Sequence, residues 1–222
     1  MTYEIKQKYI TGTNRPGKLL QPQGIVIHST ATPGAPAINI RDYFQNHPEA
    51  KASAHTAIDW TTIIEIIPDN ENAWHAGPTA NRLFIGIELC EPKEYDPAKF
   101  ADVWNRAVWY AAQKCKKFGW TVAYIRSHDQ ISKQYKETDH TDPIGYFSRY
   151  GKTWADFLLA VDKELKGADE DLLTEAKIHV NGKELTGFIK DGSSYAPVRA
   201  LAEALGAKVV WNETKKIVEI TK

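Results

Sequence analysis

The sequence predicts an α/β fold, a mixed central β-sheet flanked by helices, with a small α+β domain added at the C-terminal end. Three observations carry that prediction. The runs "GIVIHST" (24–30) and "FIGIELC" (84–90) are short, apolar and rich in β-branched residues, as buried strands are. The stretch from Asp96 to Gly119 keeps its apolar residues at three/four spacing, the mark of one long helix laid on such a sheet. Beyond about residue 167 the texture changes to short strands around a single amphipathic helix.

The first run breaks into polar residues at His28, as a strand does where it reaches a sheet edge. "INIRDYFQNH" reads as a short helix, and "AHTAIDWTTIIEIIP" alternates on both sides of its central "TT", which predicts two antiparallel strands. In the long helix Asp96 is the N-cap, Pro97 opens the first turn and Gly119 stops it. Phe100, Val103, Trp104, Ala107, Val108, Ala111, Cys115 and Phe118 form its buried face. A last helix, "TWADFLLAVDKELKG", opens with Thr153 and Asp156 as a capping pair. These elements define a domain over 1–166, followed by an acidic linker, "GADEDLLTE", at 167–175. In the domain at 176–222, "KIHVNGKEL" signals a hairpin at Asn181-Gly182, "YAPVRALAEALGA" a helix, and "KVVWNETKKIVEITK" a final pair of strands.

Charge excludes some partners. The 28 basic and 28 acidic residues cancel, so no net positive field exists to hold nucleic acid or an anionic membrane. The opening "MTYEIKQKYITG" has no apolar core, so neither a signal peptide nor membrane insertion is expected, and the cytoplasm is the expected starting compartment. The two cysteines, Cys90 and Cys115, lack metal or redox spacing and read as buried thiols.

The stretch "ETDHTDPIGYF" (137–147) crowds three acids and a histidine into six residues. Histidine is the usual acid or base near neutral pH and a common metal ligand, so the seven histidines are candidates for chemistry. No local metal motif is present. A metal site must be assembled by the fold, and His28 and His128, each expected at a strand end, with a carboxylate from "DHTDP", would supply two imidazoles and an acid. Glu88 is a lone acid within an apolar strand, costly to bury unless something needs it, although an outward-facing side chain would also explain it.

The ordered motifs "GIVIHSTA", "SAHTAID", "AWHAG", "IGIELC", "SHDQIS" and "HTDPIGYF" resemble the zinc-dependent N-acetylmuramoyl-L-alanine amidases, the type-2 amidases that share their fold with the peptidoglycan recognition proteins. The resemblance covers about residues 10–165 and is strongest to lytic amidases of phages of Gram-positive bacteria, which often begin with an "RPG" segment, as at Arg15-Pro16-Gly17. It implies one Zn²⁺ held by His28, His128 and Asp142, with Asp139 and Asp129 as rivals for the carboxylate. It implies that Glu88 shuttles the proton of a metal-activated water, alone, since the tyrosine of some relatives is Ala54 here. It places His140, where many relatives carry lysine, at the scissile carbonyl. His55, Trp74, His75 and Asn81 would lie near the substrate groove or serve as packing.

The expected function is therefore endolysin-type hydrolysis of the bond between N-acetylmuramic acid and L-alanine in bacterial peptidoglycan, the enzyme waiting in the host cytoplasm until its release to the wall. The alternatives are a non-catalytic peptidoglycan-binding protein of the same fold and a cytoplasmic wall-recycling amidase. The C-terminal piece is similar to the small domain named for the N-terminus of copper amine oxidases. Its only histidine is His179 and it has no cysteine, so no copper set can be built from it. Wall attachment is the expected role, with folding support or a homodimer through this domain as the alternative.

Overall fold

The computed structural model describes residues 2–167, 174–190 and 193–221. They form two compact units, Met1–Leu165 and Lys166–Lys222.

The first unit contains strands β1 (Ile5–Gln7), β2 (Ile25–Ser29), β3 (Thr56–Ile58), β4 (Ile63–Glu65), β5 (Ile85–Leu89) and β6 (Ile125–Ser127) in one sheet of order β1-β4-β3-β5-β2-β6. Only β3 and β4 pair antiparallel, the other neighbours being parallel, so the sheet is mixed as expected. Helices α1 (Ala37–Asn46), α2 (Pro97–Phe118), α3 (His128–Tyr135), α4 (Ile144–Arg149) and α5 (Trp154–Lys166) pack around it.

Strand periodicity decides where chemistry can sit. Successive side chains of a strand point to opposite faces. Ile25 and Ile27 of β2 and Ile85, Ile87 and Leu89 of β5 join one large core with Phe100, Val103, Trp104, Ala107 and Ala111 of α2, Phe147 of α4, and Phe157 and Val161 of α5. The even-numbered residues of the same strands face the other way, and there Val26 packs with Ala76, Phe84 and Ile131. His28 shares that second face with Val26, and Glu88 shares it with Gly86. In the parallel register His28 lies directly opposite Glu88. One face of the two strands therefore carries the fold, and the other, at its C-terminal edge, carries ionisable groups.

Local signals behave as the sequence indicates. The Asp96 side chain accepts from the Lys99 N–H, and Gly119 ends α2 in the left-handed region at φ 70°. Thr153 and Asp156 cap α5 reciprocally, the Thr153 N–H donating to Asp156 Oδ2 at 2.8 Å and the Asp156 N–H to Thr153 Oγ1 at 3.1 Å. Cys90 and Cys115 are buried free thiols. One residue on the buried side of α2 departs from the apolar pattern. Lys114 is buried, and its ammonium donates to Glu65 at 2.9 Å and to Asp69 at 2.7 Å, which satisfies the charge there.

The second unit contains a three-stranded sheet of β7 (Thr174–Val180), β8 (Lys183–Lys190) and β9 (Ser193–Tyr195), then α6 (Val198–Ala204) and a hairpin of β10 (Lys208–Asn212) and β11 (Ile217–Thr221). Asn181 and Gly182 both have positive φ, the requirement of a type I′ hairpin turn. Strand β7 takes in Thr174 and Glu175, two residues of the expected linker. Residues 168–173 of that linker lie outside the described residues.

Candidate active site and metal centre

Three elements bring the ligand candidates together. His28 stands on β2. Ser127 caps α3 with a reciprocal box, the Gln130 N–H donating to Ser127 Oγ and the Ser127 N–H to Gln130 Oε1, which fixes His128 as the first residue of the helix. Asp142 reaches the end of β2, where its Oδ2 accepts from the Ser29 N–H at 3.1 Å. The two Nδ1 atoms, 3.0 Å apart, face each other. Asp142 Oδ2 lies 3.3 Å from His28 Nδ1, and Oδ1 lies 3.1 Å from His128 Nδ1. Among the described residues this is the one group of three His, Cys, Asp or Glu side chains with such convergence.

The far nitrogens are occupied. His28 Nε2 is 3.0 Å from His75 Nδ1, and His128 Nε2 is 3.1 Å from Thr138 Oγ1, which in turn lies 2.7 Å from Ser132 Oγ. Both imidazoles therefore present Nδ1 to the common point. Burial pushes His28 below the ordinary imidazole range and so keeps it neutral, a good ligand state. Burial alone would raise the Asp142 carboxyl, but the His128 and His28 rings set against it outweigh that and hold the group far below the usual carboxylate range. Two imidazoles and one carboxylate fit a divalent cation. Ligands of a tetrahedral zinc at about 2.0–2.1 Å lie about 3.3 Å from one another, close to the separations here.

Glu88, across from His28, has a buried Oε2 with no protein hydrogen-bond partner. Burial first, then the Asp142 and Glu91 carboxylates, push it up to about 8. A carboxyl desolvated beside a metal position is poised to exchange a proton. Glu88 also lines a groove of about 520 Å³ with Thr30, Asn39, Ile40, Tyr43 and Phe44, a size suited to a small ligand or a segment of a polymer.

A model of the N-acetylmuramoyl-L-alanine amidases matches residues 18–145, more than half of the chain. This chain belongs to that amidase family. It is 32% identical over 207 residues to the N-acetylmuramoyl-L-alanine amidase CwlL of Bacillus licheniformis, covering 86% of this chain and 55% of that protein. It is 34% identical over 181 residues to the amidase CwlA of Bacillus subtilis, covering 80% of this chain and 62% of that one. The chain thus spans less than two thirds of either full-length relative. A mutant endolysin from Bacillus subtilis superposes with a TM-score of 0.61 at 30% identity, over 72% of this chain and 99% of the other. Residues 179–222 match the copper amine oxidase N-terminal domain.

Within this amidase fold the remaining site candidates separate. His140 is 62% exposed, its ring stacked on that of His128 at 4.7 Å with Nδ1 3.6 Å from Asp142 Oδ1, so it stands at the mouth of the ligand cluster. The rivals for the carboxylate are elsewhere: Asp129 pairs with Lys133 at 2.7 Å and Asp139 is exposed, neither in the cluster. His128 begins a helix rather than ending a strand, a correction to the sequence reading. His55 is also corrected. It is fully buried, its Nε2–H donates to the Glu71 carbonyl at 2.8 Å, and its Nδ1 accepts from the Gly86 N–H at 2.9 Å, which leaves nothing for a ligand. Burial lowers it to about 4, so it is neutral. His75 and Asn81 lie behind His28. Asn81 Oδ1 accepts from the His75 and Ala76 N–H groups, each at 2.8 Å. Trp74 is partly exposed and tied through its backbone to Ser53.

Residues that sequence reasoning missed sit mainly in the crowded stretch. Thr138 supports His128, and Glu137 accepts from the Thr79 N–H and hydroxyl, each at 2.7 Å, which ties the segment carrying His75 to the segment carrying Asp142. The "SHDQ" capping box at 127–130 was the available signal for α3.

Proposed function

We propose that this chain is a zinc-dependent N-acetylmuramoyl-L-alanine amidase of the endolysin type, hydrolysing the amide between the lactyl group of N-acetylmuramic acid and L-alanine in bacterial peptidoglycan. The observation that carries the reading is the convergence of His28, His128 and Asp142 beside Glu88 at the edge of an open groove. A zinc ion there would supply Lewis acidity, which makes water nucleophilic at neutral pH and polarises a carbonyl.

The chain's own groups supply the rest. His28, held neutral by burial, His128, oriented from behind by Thr138, and the ionised Asp142 would hold the ion. Glu88 takes the proton of the attacking water and hands it to the leaving amine, the nitrogen of L-alanine. A raised proton affinity suits both transfers. His140 donates to the carbonyl oxygen as negative charge develops on it. The groove over Asn39, Ile40 and Tyr43 receives the muropeptide. A non-catalytic binding protein would have no use for a desolvated Glu88 beside an intact ligand set.

Release from a host cell to its wall belongs to the same proposal, as does wall attachment through the second unit. No helix among the described residues is long and apolar enough to cross a membrane. A specific observation favours self-association as the second reading for that unit. In the β10–β11 register Trp211, Val218 and Ile220 share one face, and each is about half exposed.

Digestion of purified walls by the full chain tests the main proposal. New L-alanine amino termini are expected without new reducing ends, with the activity lost on chelation and restored by zinc. New reducing ends, or lysis that survives removal of metal, would overturn it. Light scattering of the full chain and of Trp211→Ser separates the readings of the second unit: a dimer abolished by the substitution supports self-association, whereas a monomer that sediments with walls supports attachment.

A further inference from the structure

His75 lies in the "AWHAG" segment and is not among the residues that line the groove. Its ring stands edge-on to that of His28, with ring centres 5.1 Å apart and planes at 87°. One nitrogen, Nε2, is 3.1 Å from the Phe84 carbonyl oxygen, and the other, Nδ1, is 3.0 Å from His28 Nε2. A carbonyl can only accept. His75 Nε2 must therefore carry the hydrogen, and in a neutral imidazole Nδ1 is then an acceptor. His28 Nε2 must in turn carry its own hydrogen to donate to it. The one arrangement that satisfies both bonds leaves the lone pair of His28 on Nδ1, aimed at His128 Nδ1 and Asp142.

The surroundings hold His75 in that pose. Asn81 Oδ1 accepts from the two N–H groups that flank the His75 Cα, those of His75 and Ala76. Under the ring lies Gly86 of β5, where an added Cβ would come within 2.5 Å of His75 Cγ and 2.7 Å of its Nδ1. Gly86 has an ordinary backbone conformation, so its missing side chain answers to the ring and not to a turn. A histidine at position 75 and a glycine at 86 are two halves of one fitting.

We propose that His75 is a positioning residue for the metal. The Phe84 carbonyl sets its tautomer, it sets the tautomer of His28, and Gly86 provides the bed on which its ring lies. This rests on the metal reading given above. His75 is absent from the groove lining and meets His28 from behind, the packing alternative rather than the groove role.

The test uses the full chain and two readouts other than turnover. In the metal-free protein, ring-nitrogen NMR of His28 should show a single species protonated at Nε2. A His28 protonated at Nδ1 would overturn the proposal with no variant needed. Zinc affinity, by competition with a chelator, should fall about 10–100-fold in His75→Phe, which keeps a ring of similar size without the acceptor. His75→Asn, whose Oδ1 can stand where Nδ1 stood, should recover most of that loss. Gly86→Ala, which keeps the histidine but pushes its ring off its bed, should weaken zinc in the same direction. Parental affinity in His75→Phe, or an Asn variant as weak as the Phe variant, would overturn the positioning role. If the parent itself binds no zinc through His28, His128 and Asp142, the metal reading fails instead, so the two failures are distinguishable.

Discussion

The two sides of the ligand cluster differ in how completely their polar groups are satisfied. Behind His28 and His128, every ring nitrogen of His55 and His75 has a partner, Asn81 accepts twice, and Thr138 is held by Ser132. In front, Glu88 Oε2 is buried without a protein partner, and His140 is exposed with only Asp142 and the His128 ring beside it. Closed hydrogen bonds lie behind the candidate metal position, and unspent hydrogen-bonding capacity lies in front of it. A buried polar atom without a partner is costly, of order 1–3 kcal/mol, so its retention at Glu88 points to a partner that arrives with substrate or water.

Substitutions in front should therefore cost turnover and spare the fold, and those behind, His75 with its link to His28 excepted, should do the reverse. The largest effect on rate is expected at Glu88. Glu88→Gln should lower turnover by about 10²–10⁴-fold, the range for loss of a general acid–base, while zinc affinity stays close to parental. Stability should move the opposite way in the metal-free protein. The buried carboxyl holds its proton to about pH 8, whereas its unfolded counterpart releases it near its ordinary value of 4.5. Stability from this group is thus lost as pH rises through that interval, and the neutral amide removes the loss. A higher Tm for metal-free Glu88→Gln at pH 7 is the expected outcome by calorimetry, and a lower one would mean that Glu88 is a structural acid. His140→Ala comes next, with about 10²-fold lower turnover, as for one lost oxyanion donor, and little change in Tm because the side chain is exposed. Near-normal turnover would remove His140 from the mechanism and blur the distinction between front and back.

The same distinction governs how much could be read from the chain. Strands β2 and β5, α2 with its caps, the capping pair of α5 and the Asn181-Gly182 turn were legible because each is decided by neighbours within a few residues. The convergence of His28, His128 and Asp142 was legible only through six motifs in order that suggested the family. Helix α3 has its signal in Ser127 and Gln130, which spell its capping box, but it follows β6 without a loop, so His128 stands at a boundary that apolar patterning does not fix. The roles of His55 and His75 were beyond local reading. Whether an imidazole faces a groove or two backbone groups depends on Gly86, Phe84 and Glu71, which lie 9–31 residues away in the hydrogen bonds concerned. In the second unit the two hairpins were legible and β9 was not, and nothing local says what covers Trp211, Val218 and Ile220.

The smallest effect on rate is expected from His55, the group most fully enclosed behind the site, and it gives the clearest check on that side. His55→Ala strips the Gly86 N–H and the Glu71 carbonyl of their buried partner, a destabilisation of about 1–3 kcal/mol for each group left unpaired, while the folded enzyme should turn over at a rate close to parental. Acid should expose the same residue without mutation. The buried imidazole protonates only at about pH 4, whereas its unfolded counterpart does so near 6.5. Between those values the unfolded chain binds more protons, so the stabilisation is complete above pH 6.5 and is lost as pH falls toward 4, with a slope of up to about 1.4 kcal/mol per pH unit from this one group. Denaturant titrations of the metal-free parent and of His55→Gln across that window should differ in slope by about one proton. Equal slopes would mean that His55 already carries a proton in the folded protein, and a charged group so close behind His75 is incompatible with the neutral, fully bonded layer on which the contrast between the two sides depends.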